Sequence, residues 1–151
     1  MKLKKVQIRE FRSINDSGSF DADNITCLVG KNESGKTALL QALYQMNPII
    51  DYDAGYNITH DYPRVDVEDY RYEIEQAKRE PAIVAHVKFE LDKADAEKIQ
   101  YFTGETDVVG KIFNITRCYE EDYEVEYSFD EIVALKNLVE DTIFLSKSQI
   151  K

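Results

Sequence analysis

With 151 residues, 43% of them apolar, the chain is long enough for one domain with a real hydrophobic core. Its formal net charge of −10 argues against a nucleic-acid surface of its own. No apolar run approaches the length of a membrane span, and Met1-Lys2-Leu3-Lys4-Lys5 leads into an alternating segment rather than a signal-peptide core, which predicts a soluble, cytoplasmic protein.

The first twelve residues carry Lys2, Lys4, Lys5, Arg9 and Arg12 against Glu10 alone and are net +4. Leu3, Val6, Ile8, Phe11 and Ile14 are interleaved with them, which predicts an extended segment over 2–14. Its basic side chains suit either a polyanion or an exposed edge strand guarded by lysines. Asn15-Asp16-Ser17-Gly18 signals a turn, after which a short strand through Phe20 is expected to pair back as a hairpin. Asp21-Ala22-Asp23-Asn24 makes the next turn, and Ile25-Thr26-Cys27-Leu28-Val29 reads as a buried strand. Cys27 and Cys118 both stand in apolar stretches without metal-ligand spacing, so buried free thiols are expected.

Gly30-Lys31-Asn32-Glu33-Ser34-Gly35-Lys36-Thr37 fits G-x-x-x-x-G-K-[ST], a phosphate-binding loop. Gly30 and Gly35 allow the backbone to turn back and approach a phosphate without a Cβ in the way, so that successive N–H groups face one concavity. A helix follows, with Leu39, Ala42, Leu43 and Met46 on one stripe; its first N–H groups and dipole add to the attraction for an anion. Lys36 is expected on the β and γ phosphates and the Thr37 hydroxyl on the bridging Mg²⁺, with Ala38 continuing the helix beside them. Glu33 is expected to point outward, since a carboxylate beside a triphosphate is repulsive. On this reading the mouth of the loop is open and a central strand leads into it.

Residues 6–48 also carry a family resemblance. Ile8-Arg9-Glu10-Phe11-Arg12-Ser13-Ile14, then Phe20, then the run from Ile25 through the loop to Leu43, resembles the amino-terminal half of an ABC-type ATPase head of the RecF, SMC and OLD-nuclease group. ABC transporter subunits resemble it less closely. The resemblance implies ATP and Mg²⁺ as ligands, Arg12 and Ser13 near the nucleotide, a second head as partner in a homodimer, and work on DNA. A surface charge is the alternative for Arg12.

Asn47-Pro48 is expected to end the helix, and 49–65, rich in Asp, Tyr, Asn, Gly and Pro, to form a long loop. Asp61-Tyr62-Pro63-Arg64 is similar to a tetrapeptide found after this helix in OLD-like ATPases; there His60 or Arg64 would approach the nucleotide or a partner head, and a proline turn is the alternative. Val67, Tyr70, Ile74 and Ala77 predict an amphipathic helix from about Asp66 to Lys78. Ile83, Ala85, Val87, Phe89 and Leu91 then alternate with a solvated face holding His86, Lys88 and Glu90, and Asp92 caps a helix to about Phe102. Val108 to Tyr119 and Tyr123 to Phe129 predict a hairpin with one apolar and one acidic face. A last helix is expected over 130–144, before a frayed tail at 146–151.

The expected fold is α/β: a P-loop NTPase of the ABC ATPase type, with a mixed sheet and an antiparallel β-rich part. Its segments are 1–48, 49–80, 81–145 and 146–151, together the amino-terminal portion of one ATPase domain. Hydrolysis would need an apolar strand ending in Asp followed by Glu, and Tyr127-Ser128-Phe129-Asp130-Glu131 is a poor imitation. The Ser-Gly-rich signature that such heads contribute in trans has no match either. Nucleotide binding with little turnover is therefore expected of these residues, with no catalytic residue among them. An ABC transporter subunit and a non-hydrolysing, nucleotide-binding dimerisation module are the alternatives.

Overall fold

Alternating apolar and basic residues at the start of the chain form a strand, β1 (Lys2–Phe11), whose Val6, Ile8 and Phe11 are buried. A computed structural model of the chain describes residues 1–31, 34–46, 48, 55–103, 108–119 and 123–126, and the statements below concern those residues. They divide into two units: Leu3–Lys88 with Asn114–Glu126, and Met1–Lys2 with Phe89–Phe113.

In the larger unit, β1 ends earlier than predicted. Glu10 (φ 44°) and Arg12 (φ 53°) both take left-handed backbone conformations, which turns the chain at Arg12 and Ser13 without a glycine. The returning strand β2 (Ile14–Asp16) pairs antiparallel, with Arg9 opposite Asp16 and Phe11 opposite Ile14. The chain thus turns at 12–13 instead of the expected Asn15–Gly18, and Asn15 and Asp16 lie in a strand that was not expected. Strand β3 (Phe20–Asp21) pairs antiparallel with Lys5 and Val6. Two further strands, β4 (Ile83–Glu90) and β5 (Ile112–Cys118), and the short β6 (Tyr123–Glu126) complete the order β2-β1-β4-β5-β6, with β3 also on β1. The pair β5–β6 is antiparallel, so the predicted second hairpin forms.

Lying between β2 and β4, β1 is not an edge strand. Two of its exposed cations are paired from within: Lys5 lies 3.4 Å from Asp21, and Arg9 lies 3.1 Å from Asp16. Both carboxylates stand on the strands that pair back onto β1, which the linear sequence disguised.

The expected buried strand at 25–29 does not form. Both neighbours of β1 are already in place, and among the described residues no strand pairs with this run. An apolar run without a partner for its N–H and C=O groups has no ladder to join, and Ile25 and Val29 are 86% and 94% exposed. Cys27 is exposed too, against expectation; Cys118 is half-buried, and both are free thiols.

Helix α1 (Lys36–Met46) turns Ala38 and Ala42 fully inward, with Leu39, Leu43 and Met46 half-buried on the same stripe. Its far end is secured by groups the sequence did not point to. Arg117 of β5 donates to the carbonyls of Gln45 (3.4 Å) and Met46, and Gly55 N–H donates to Gln45 O at 3.2 Å. A guanidinium on terminal carbonyls complements the negative end of the helix. The predicted long loop contains a one-turn helix, α2 (Ile58–Asp61), capped by the Asn57 side chain on the Thr59 and His60 N–H groups.

Helix α3 (Val67–Glu75) is shorter than predicted. Ala77 (φ 51°) takes the left-handed position, while Lys78 N–H reaches Glu73 O at 2.9 Å, so the helix closes on itself five residues before Pro81. Tyr70, on α3, stacks on Tyr62 with ring centroids 4.1 Å apart, and Tyr56 and Tyr119 meet this cluster edge-on or tilted. Packed with Phe11 and Val84, these rings form the core of the unit. His86 is not simply solvated: it is half-buried, with Nδ1 2.9 Å from Thr116 Oγ1.

In the smaller unit, α4 (Lys93–Thr103) buries Ala96 against Leu91 and Val108, with Ile99 alongside. Asp92 caps it as predicted: the Asp92 and Asp95 carboxylates each accept from the other's N–H at 3.1 Å. The expected last helix at 130–144 lies outside the described residues.

Candidate functional site

The glycine-rich loop reaches the start of α1 through Gly35 (φ 84°), a conformation that L side chains rarely adopt. A Cβ at that position would stand 3.2 Å from Ile14 Cγ1 and 3.5 Å from Ser13 Oγ. The turn between β1 and β2 therefore abuts the first turn of the helix. At Gly30 a Cβ would stand 2.8 Å from Ser34 Oγ, the tip of an exposed side chain that can turn aside. Asn32 and Glu33 lie outside the described residues, as does the expected outward orientation of Glu33.

Lys36 curls back over the loop. Its ammonium donates to Gly30 O (2.8 Å), Lys31 O (2.5 Å) and Ser34 Oγ (3.2 Å). The mouth is thus partly filled by its own lysine, where an open mouth was expected. An ammonium has three donors, and here the loop supplies an acceptor for each. The same contacts show that the loop carbonyls converge on the lysine, and that a phosphate oxygen reaching this point would compete for donors already in place. Thr37 is exposed at the second helical position and Ala38 is buried beneath it.

A cavity of about 690 Å³ lies beside the turn, lined by Arg12, Ser13, Asn15, His60 and Arg64 among others. A second, of about 680 Å³, is lined by Ser13, Asn15, Thr26, Gly30, Ser34 and Lys36 together with apolar side chains. Ser13 and Asn15 belong to both. The two residues implied beside the nucleotide therefore part company: Ser13 lines the loop cavity, while Arg12 lines the neighbouring one.

All three nitrogens of the Arg12 guanidinium donate hydrogen bonds. Nε and Nη2 donate to Asp61 Oδ1 at 3.0 and 2.9 Å, and Nη1 donates to Gln41 Oε1 of α1. Asp61 is 2% exposed, and its other oxygen accepts from Asn57 N–H at 3.1 Å and the Gln45 amide at 3.4 Å. A buried carboxylate is tolerated when it is paired and hydrogen-bonded in this way. The sequence pointed to His60 and Arg64 within this tetrapeptide neighbourhood, and both do line the cavity, but it did not single out Asp61. The only available hint was an acidic residue beside an aromatic and a proline.

The geometry thus provides a glycine-permitted turn into a helix N-terminus, a lysine poised on that turn, and a serine facing both. These are groups for holding an anion. Among the described residues no group of three or more His, Cys, Asp or Glu side chains could hold a metal ion. No helix among them is long and apolar enough to cross a membrane. A family model described as an AAA ATPase domain matches residues 1–151. No curated protein matches the chain.

Proposed function

The chain belongs to the AAA ATPase domain family, and from that premise we propose that it binds Mg-ATP on Gly30 to Ala38. The observation that carries this reading is the convergence of Gly30 O, Lys31 O and the Lys36 ammonium at the mouth of α1, behind a residue fixed at φ 84°. Lys36 would exchange the loop carbonyls for β- and γ-phosphate oxygens. The N–H groups of the first helical turn, which have no intrahelical acceptor, would meet the same phosphates. Thr37 would ligate Mg²⁺, and Ser13 would face the nucleotide from the turn.

On the resemblance to RecF, SMC and OLD-type heads, ATP would join two copies of the domain in a homodimer, and the assembly would act in the cytoplasm on DNA, in repair, chromosome handling or phage defence. The DNA role rests on that analogy alone. Opposing it, the basic residues Lys5 and Arg9 of β1 are neutralised internally.

The test measures Mg-ATP binding and hydrolysis side by side on the chain. Saturable binding with little or no turnover is the expected result, with GTP competing poorly. Absence of saturable binding would refute the assignment, and brisk turnover would refute the view that hydrolysis needs groups beyond these.

A further inference from the structure

We propose that Asp61 is a positioning residue for the phosphate site, acting through Arg12 to hold Ser13 against the start of α1. The inference rests on the nucleotide reading above and adds to it a residue that touches neither loop nor phosphate.

Asp61 has four donors aimed at two oxygens: Arg12 Nε and Nη2 on Oδ1, Asn57 N–H and the Gln45 amide on Oδ2. Its own carbonyl accepts from Arg12 N–H at 2.5 Å, so Arg12 is gripped by backbone and side chain at once. That double grip holds Arg12 at φ 53°, the conformation that starts the turn. The next two residues, Ser13 and Ile14, are the ones against Gly35. From the other side, Gln41 and Gln45 sit one turn apart on α1 and reach Arg12 and Asp61 respectively. Gln45 Oε1 has no partner among the described residues, so the carboxylate is what orients that amide. One buried group thus ties the turn to α1, and the turn's Ser13 and Ile14 stand against Gly35 at the start of that helix.

Only an acceptor fits there. In Asp61→Asn the new NH₂ must face either the guanidinium or the Asn57 N–H, both donors, and Arg12 loses its counter-ion. The turn then loosens and Ser13 no longer holds its place.

Mg-ATP affinity is measured by calorimetry on the full chain, at a temperature where circular dichroism finds every variant folded. Asp61→Asn should weaken binding about tenfold. Gln41→Ala, an exposed position that keeps the fold, should weaken it less but measurably. Tyr70→Phe, which loses a buried bond to the Ala82 N–H in the same unit, controls for destabilisation and should stay within about twofold of wild type. In a Ser13→Ala background, Asp61→Asn should add little further loss, because both act on one contact. Wild-type affinity in Asp61→Asn, an equal loss in Tyr70→Phe, or full additivity with Ser13→Ala would overturn the proposal while leaving the nucleotide reading standing. A wild-type chain that binds no Mg-ATP would instead sink that reading. If Asp61→Asn does not fold, Gln41→Ala decides by the same comparison.

Discussion

Replacing Lys36 with alanine removes an ammonium whose three donors are all in use, on Gly30 O, Lys31 O and Ser34 Oγ. Those acceptors are neutral and the contacts are open to solvent, so each contributes at most about 1 kcal/mol and folding should hardly notice the loss. With a triphosphate bound, two of the three donors would pass to charged oxygens, at about 1.5–3 kcal/mol each. The exchange favours the bound state by roughly 1–4 kcal/mol, which is about 5- to 1000-fold in Kd. Lys36→Ala should forfeit that gain while leaving the denaturation midpoint close to wild type. Isothermal titration with Mg-ATP, paired with a urea melt of the free protein, reads both quantities. Lys36→Arg should not rescue binding, because the planar fork cannot occupy the point at which a compact ammonium meets the loop carbonyls. An affinity for Lys36→Ala within about twofold of wild type would refute the placement of phosphate on this loop.

Gly35→Ala places a methyl 3.2 Å from Ile14 Cγ1 at φ 84°; a loss of about 1–2 kcal/mol in chemical denaturation is expected from the left-handed backbone alone, together with weaker nucleotide binding. Tyr70→Ala removes a ring that is 1% exposed and stacked on Tyr62, and the urea midpoint should report a loss of about 3–5 kcal/mol. The Tyr56 and Tyr119 phenols are pushed well above their usual value near 10, chiefly by burial. A neutral phenol favoured in the folded state contributes stability that is complete below pH 10 and declines as pH rises beyond it, when the unfolded chain ionises first. Spectrophotometric titration should therefore reveal a group of tyrosines that ionise only together with alkaline unfolding; ionisation of all the tyrosines near pH 10 with the fold intact would contradict the buried cluster.

What could be read from the chain was what its neighbours in sequence decide. The turn at Gly35 and the stripe on α1 are set by adjacent residues, so residue type and spacing sufficed for them. The same holds for the Asp92 cap, whose partner Asp95 stands three residues away, whereas the expected faces of β4 are not those observed at its start: Val84 is fully buried and Ile83 is 41% exposed. Boundaries set by tertiary contact were misjudged. Nothing local marks Glu10 and Arg12 as left-handed, because Arg12 is held there by Asp61, forty-nine residues later. Nothing local ends α3 at Glu75, since an alanine occupies the position usually given to glycine.

Ile25 to Val29 makes the division plain. Its composition specified an apolar run, but a strand exists only where another backbone accepts its hydrogen bonds, and the neighbours of β1 come from elsewhere in the chain. Two basic residues of β1 divide in the same way: the sequence by itself determined that Lys5 and Arg9 are there, and folding decided that they pair with Asp21 and Asp16. Sequence alone determined that a glycine-bearing turn opens α1, with Gly35 at φ 84°. Tertiary structure decided how its surroundings are tied together, because the bonds from Asp61 to Arg12 at the neighbouring turn and from Arg117 to the far end of α1 join residues that only folding brings within reach.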